Sequence, residues 1–316
     1  MIIDALNKQA LHKRVLRLMG NRFEITVVHD DGQYAEAMID KAVAEIQRIE
    51  DLLTTFKESS QTNRINSNAG IKPVRVDREV YDLIYRSIKI SILTQGAFDI
   101  TYGSVDKRLW NFDLAMKTLP SKETAKKMVR LINYKNIIFD HEQCTIFLKE
   151  KGMRIGFGGI GKGYAADRAK ALLKSCGVTS GVVNAAGDLI TWGTQPNGKP
   201  WTVGIADPNN KQQLFSYLDI SNNAVATSGS YEKYVMIDGK RFSHTINPKT
   251  GLPVSGIKSV TIICPCAELA DALATPVTVM GIRAGLDLIN QMKNIACIII
   301  DDYDKLYTSN NIKIHS

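Results

Sequence analysis

Five glycines fall within eight residues, Gly156-Phe-Gly-Gly-Ile-Gly-Lys-Gly163. No other stretch of the 316-residue chain constrains its backbone so strongly. Glycine lets main chain approach a ligand or another segment where a Cβ would intrude. The segment follows apolar residues and precedes a helical pattern. It satisfies GxGxxG through Gly156, Gly158 and Gly161, with Asp188 after the next strand as a candidate ribose-binding acid. It also nearly satisfies GxxxxGK, but Gly163 stands where a P-loop needs Ser or Thr on magnesium. Both motifs use one device: glycines admit a phosphate, and helix-start amides face its charge. The segment therefore predicts phosphate or pyrophosphate binding, with Lys162 adding positive charge. The alternative is a tight strand-to-helix turn. Rossmann and P-loop folds both require repeated parallel βαβ units, which the rest of the chain does not supply.

Hydrophobic periodicity outlines the other elements. Alternation over residues 22–28 predicts a strand. Met38, Ile39, Ala42, Ile46, Ile49 and Leu53 predict a helix, as do Val80, Leu83, Ile84, Ile88 and Ile92. Residues 57–70 read as a loop, 97–112 as irregular, 121–132 as a basic helix and 136–155 as strands. A helix follows the glycines to Cys176, and a strand holds Val182 and Val183. Short strands fill residues 201–243, with a hairpin turning at Asp238-Gly239. Residues 257–263 and 295–300 read as strands on either side of a helix that starts near Ala267. Leu11, Val15 and Leu18 sit at helical spacing, so a short amphipathic entry helix is expected near the start, with residues 1–17 as an entry segment and a single domain over 18–316. Long helices mixed with hairpins indicate an α+β fold.

Net charge is +8. That suits an anionic small molecule, but there is no long basic run or basic-aromatic interleaving of the kind that binds nucleic acid. No apolar run reaches the ~20 residues of a membrane helix. The five cysteines have no CxxC spacing and sit mostly in apolar segments, so they read as buried thiols.

Two further clusters carry chemistry. Asp271 and Thr275 stand at i and i+4 of a helix, so their oxygens share a face. Carboxylate and hydroxyl are hard ligands suited to magnesium. His244 lies at a strand end beside the Asn247-Pro and Thr250-Gly steps of a rigid turn, a place from which it could act as a general base.

Taken in order, several segments resemble the ApbE-type FAD:protein FMN transferases. They are Leu18-Met-Gly-Asn-Arg-Phe23, Thr54-Thr-Phe-Lys-Glu-Ser59 with Arg64-Ile-Asn66, Gly96-Ala-Phe-Asp-Ile-Thr101 and Gly158-Gly-Ile-Gly-Lys-Gly-Tyr-Ala-Ala-Asp167. Val183-Asn-Ala-Ala-Gly-Asp188, Ala226-Thr-Ser-Gly229, Ser243-His-Thr-Ile-Asn-Pro-Lys-Thr-Gly251 and Ala270-Asp-Ala-Leu-Ala-Thr275 complete the set. The resemblance spans roughly residues 18–300. It implies a T-fold-like α+β body of two related antiparallel sheet-plus-helix halves, with FAD in a cleft.

By the same resemblance, Asp271, Thr275 and the Gly159 carbonyl hold Mg2+. Met19, Phe56, Ala97, Phe98, Asp99, Gly156, Lys162 and Ile246 contact FAD, and His244 assists the acceptor hydroxyl. The implied reaction moves FMN from FAD to a Thr or Ser hydroxyl of an acceptor flavoprotein or redox-complex subunit and releases AMP. A magnesium-dependent FAD pyrophosphatase, a non-enzymatic flavin-binding protein and a Rossmann-type dehydrogenase remain as alternatives. The chain departs from the family pattern in two places. Gly156-Phe157 replaces Asp-Leu, and Asn247-Pro248 replaces Asp-Pro. Many relatives carry a lipoprotein signal; none is visible in the sequence as written, which makes the cytoplasm the expected compartment. Membrane anchoring after export is the alternative, should a leader have been removed.

Overall fold

The structure, a computed structural model, describes residues 9–206, 214–229 and 233–312. The first eight residues of the expected entry segment, and residues 207–213 and 230–232 of the expected short strands, lie outside that set. The chain opens with strands β1 (Ala10–Leu18) and β2 (Asn21–His29) and helix α1 (Gly32–Leu53). Helix α2 (Gln61–Ser67), strand β3 (Val74–Arg75), helix α3 (Arg78–Leu93) and helix α4 (Lys122–Met128) follow. Next come β4 (Ile137–Asp140), β5 (Thr145–Leu148), α5 (Gly161–Ser175), β6 (Gly181–Ala185) and β7 (Asp188–Trp192). Then come β8 (Thr202–Ala206), β9 (Leu214–Asp219), β10 (Ala224–Gly229), β11 (Tyr234–Ile237) and β12 (Lys240–Ser243). The chain continues through β13 (Ile257–Cys264), α6 (Ala267–Met280), α7 (Ile282–Asn290), β14 (Ala296–Asp301) and β15 (Leu306–Thr308).

Eight of these strands form one sheet in the order β1-β2-β6-β7-β10-β13-β14-β15. Every neighbouring pair is antiparallel. The first half runs β1, β2, α1, α5, β6, β7, with α2, α3 and α4 inserted between its two helices. The second half repeats the pattern as β10, β13, α6, α7, β14, β15. This is the duplicated α+β body that the resemblance implied. An all-antiparallel sheet also excludes the doubly wound Rossmann reading of the glycines, which needs parallel strands.

Helix α1 shows why the layers join. Asp31 caps it, accepting from the Gln33 and Tyr34 amides at 2.8 and 3.1 Å. Ala35, Met38, Ile39, Ala42, Ile46, Ile49 and Leu53 recur every three or four residues and are buried. They pack with Phe23, Ile25 and Val27 of β2 in the main core. Each large side chain buried this way stabilises the fold by ~1.5–3 kcal/mol.

Two expectations need correction. Residues 10–18 form a strand, not an amphipathic helix, and the expected 17/18 boundary falls inside it. Its inward positions are His12, Arg14, Leu16 and Leu18, whereas Leu11 and Val15 are exposed. Arg14 occupies an inward position because it pairs with Glu36 and Asp40 of α1. A charge on the sheet's helix-facing side thus masks the period of two. The polar run 57–70 contains α2 for a similar reason. Its buried face is made of polar groups: Thr62 donates to the Leu53 carbonyl at 2.9 Å, and Asn66 bonds to main chain on both its atoms. Ser60 caps this helix through the Asn63 amide.

Strand pairing also ends sooner than residue 155, at Leu148. Residues 153–156 are instead held by individual bonds. The Asn66 amide group donates to the Ile155 carbonyl and accepts from its N–H at 3.0 and 2.7 Å. Ser104 accepts from the Arg154 amide at 2.8 Å, and Gly156 N–H donates to the Ile100 carbonyl at 3.0 Å. Two hairpin turns complete the frame. Met19 and Gly20 both take positive φ (50° and 71°) between β1 and β2, as do Ala186 and Gly187 (57° and 101°) between β6 and β7. Two positive-φ residues in a two-residue loop match the right-handed twist of the flanking strands. The Ala186 amide donates to the Arg22 carbonyl, so both turns lie at the same end of the sheet.

Candidate active site

A cleft of about 1000 Å³ opens at that end. Its walls come from the Met19 turn, the chain after α1, residues 97–103, the glycine segment, the β6–β7 turn, the end of β10, the His244 loop and α6. All twelve site residues expected from the sequence line it. Met19 is held in its strained left-handed conformation by a bond from its N–H to Glu50 Oε2 at 2.8 Å. Ala97, Phe98 and Ile246 are buried in the wall, while Phe56 stands at the rim with 98% of its surface exposed. Asp99 is buried, and its carboxylate is committed to main chain. It accepts from the Thr101 amide and hydroxyl at 2.8 and 2.6 Å and from the Tyr134 amide at 2.9 Å. Burial pushes its pKa up despite those bonds.

A charged cluster forms the floor. Lys162 Nζ lies 2.8 Å from Asp188 Oδ2 and 3.2 Å from Asp271 Oδ1. Burial pulls the lysine pKa down, but Asp271 and Asp188 outweigh it and leave the pKa raised. Asp188 and Asp271 are each only 6% exposed. Burial first, and the charge of Asp271 second, push the Asp188 carboxyl up to about 6. Two buried carboxylates thus share one ammonium, so excess negative charge faces the cleft.

Helix α6 presents Asp271 from its second turn, with Thr275 one turn on. Its start is pinned by Asp167 of α5, which accepts from the Ala267 and Glu268 amides at 3.0 and 2.8 Å. Gly163 explains the broken P-loop pattern. Its N–H donates to Asp271 Oδ2 at 3.1 Å, and a Cβ there would sit 2.1 Å from the Ala267 carbonyl oxygen. No side chain, Ser or Thr included, fits between α5 and α6.

The donor set suits a hard cation. Asp271, the Thr275 hydroxyl and the Gly159 carbonyl are oxygen donors beside surplus negative charge. Among the described residues no group of three or more His, Cys, Asp or Glu could hold a metal. A cation here would therefore complete its shell with water and ligand phosphate, as magnesium does.

His244 sits at the exposed mouth of the cleft. Its Nδ1 lies 3.3 Å from the Lys233 carbonyl, which places the ring proton on Nδ1 and leaves the Nε2 lone pair free. Surrounding protein, including Phe112 with its ring centroid 6.3 Å away, desolvates the imidazole and lowers its pKa. The residue is a neutral base near pH 7.

Sequence reasoning cast Asp188 only as a ribose acid and missed Glu50, Asn66 and Asp167. Asp188 carried a signal, being an acid directly after a positive-φ turn at a strand start. The other three hold backbone; Asn66 and Asp167 close two of the resembling segments but were given no role there, and nothing local marks Glu50.

The sequence model of the ApbE family matches residues 19–299. A Klebsiella pneumoniae protein named FAD:protein FMN transferase is 32% identical over 285 residues, covering 90% of this chain and 87% of that protein. The crystal structure of the ApbE protein from Thermotoga maritima superposes with a TM-score of 0.84 at 30% identity, covering 95% of this chain and 97% of that one. The apo form of the Pseudomonas stutzeri flavinyl transferase ApbE gives 0.82 at 26% identity, covering 95% and 94%.

Proposed function

The chain belongs to the ApbE family, and on that premise we propose that it is an FAD:protein FMN transferase whose acceptor is a Thr or Ser hydroxyl of a flavoprotein. The observation that supports this best is convergence. Twelve residues from separate segments line one cleft, with the Lys162–Asp271–Asp188 cluster at its floor and a neutral histidine at its mouth. The FAD pyrophosphate lies over the glycine segment, where loop amides and Lys162 share its negative charge. Asp271, Thr275 and the Gly159 carbonyl would hold Mg2+, which would supply positive charge against the phosphates. His244 Nε2 takes the proton from the acceptor hydroxyl. That oxygen forms the new bond to the FMN phosphorus while the bond from phosphorus to the AMP oxygen breaks. The products are an FMN phosphoester on the acceptor and AMP. The mouth is open beside the exposed Phe56, so water has a route to the same phosphorus, and hydrolysis of FAD to FMN and AMP is the competing outcome.

The test mixes the protein with FAD, magnesium and an acceptor domain and reads covalent flavin fluorescence on a denaturing gel. The expected result is a fluorescent acceptor band that chelator abolishes. AMP with free FMN and no band would assign a pyrophosphatase. FAD binding with no AMP release, across several acceptors, would leave only a flavin-binding protein.

A further inference from the structure

A second, smaller pocket of about 320 Å³ shares the Asp99 and Pro248 walls with the cleft. Lys126, Arg130, Lys135 and Lys249 surround it. All four are exposed, and none forms an ion pair among the described residues. The contrast with Lys127, tied to Glu123 at 2.6 Å on the same helix, shows that acids are available nearby. The one acid lining the pocket is Asp99, whose carboxylate already serves Thr101 and Tyr134. Four like charges around a concavity repel one another, and an anionic partner relieves that repulsion.

The pocket adjoins the turn that follows His244. The turn after the histidine is closed by a bond from the Gly251 N–H to the Asn247 carbonyl at 2.9 Å and by one from the Lys249 N–H to Asn247 Oδ1 at 2.9 Å. Gly251 has φ +72° and abuts α4 so closely that a Cβ would lie 2.1 Å from the Ala125 carbonyl oxygen. Helix α4 carries Lys126, and Arg130 follows it closely. The pocket and the catalytic mouth are therefore built on adjoining segments packed against each other.

The main cleft is already at the upper end of small-molecule sites in volume, and the proposed reaction assigns it to FAD. The second reactant in the proposed reaction is a protein, which must enter at His244 and lie across the adjoining turn. Resting on that reading, we infer that the Lys126–Arg130–Lys135–Lys249 pocket docks an acidic segment of the acceptor protein. Such a surface steers encounter and sets register beside the reacting hydroxyl, and it is sensitive to salt.

The test uses the full chain and the K126Q/R130Q/K135Q/K249Q variant, with thermal melts to confirm that both fold. A fluorescein-labelled decaglutamate peptide measures the pocket alone by anisotropy. The variant should bind it at least about tenfold more weakly at low salt. In FMN transfer, KM for the acceptor domain should rise by a similar factor, with kcat and the Kd for FAD unchanged. Equal decaglutamate binding by the two proteins overturns the inference, as does an unchanged acceptor KM. A weakened FAD affinity also overturns it, in favour of a nucleotide phosphate in the pocket. If the wild type transfers no FMN to any acceptor, the functional reading fails, and the anisotropy result alone judges the surface.

Discussion

Gly163→Ala tests the packing that aims the Asp271 carboxylate. The added Cβ would lie 2.1 Å from the Ala267 carbonyl oxygen, 2.5 Å from its carbon and 2.9 Å from Asp271 Cβ. Helices α5 and α6 must separate by roughly 1 Å before these contacts reach van der Waals distance. Overpacking of this kind costs ~1–3 kcal/mol or more. A helical Gly→Ala change without a clash would instead stabilise by up to about 1 kcal/mol. The sign of the effect therefore decides the matter. At roughly 2–4 °C per kcal/mol, the melting temperature should fall by about 2–12 °C, read by circular dichroism. The displacement also moves Asp271, and a misplacement of ~1 Å at a reacting site costs about a hundredfold in rate. FMN transfer should fall by that order. Gly156→Ala is the control for stability, since nothing lies within 4 Å of its added Cβ. A Gly163→Ala protein with an unchanged or raised melting temperature and wild-type transfer would refute the reasoning.

Four further outcomes follow from the same geometry. Asp271→Ala should abolish magnesium-dependent AMP release while FAD still quenches in the cleft; full metal-dependent turnover would sink the ligand assignment. His244→Asn should retain FAD binding but lose transfer by a factor of ~10²–10⁴, measured as covalent flavin per minute. Because neighbouring protein partly desolvates the His244 ring and lowers its pKa, the neutral form is favoured in the fold. Its contribution to stability is therefore complete above the ordinary value of 6.5 and is lost as pH falls through the lowered value. Transfer should likewise stay level through pH 7 and decline only on the acid side, and a decline beginning above pH 7 would contradict a desolvated base. Cys264, Cys266 and Cys297 have thiols pushed up to about 11, 12 and 12 by burial. Ellman's reagent at pH 8 should accordingly modify the half-buried Cys144 and Cys176 first, as peptide mapping would show.

Much of the frame was legible from periodicity. Helix α1 has a buried face of aliphatic residues and Met38, and α3 buries Val80, Leu83 and Ile84 as its spacing predicts, although its last turns bury Ser87 and Ser91 and leave the expected Ile92 exposed. The hairpin at Asp238-Gly239 was legible because positive φ selects its residues (51° and 73° here). Strand β1 and helix α2 were not, because Arg14, Thr62 and Asn66 fill inward positions with polar groups whose partners lie in other segments.

The candidate site divides in the same way. From the sequence alone came a phosphate-binding glycine segment, an oxygen-donor pair on one helix face and a histidine beside a rigid turn. Each is a local property, set by neighbouring residues and by the geometry of a single element. Tertiary structure alone decided that these three meet. It decided that Lys162 lies between Asp188 and Asp271, that Gly163 is glycine because α6 leaves no room for a Cβ, and that four cations with no ion pair among the described residues ring a pocket beside the cleft. Burial, charge coupling and close helix approach depend on what distant segments bring to one place, and no window along the chain contains them.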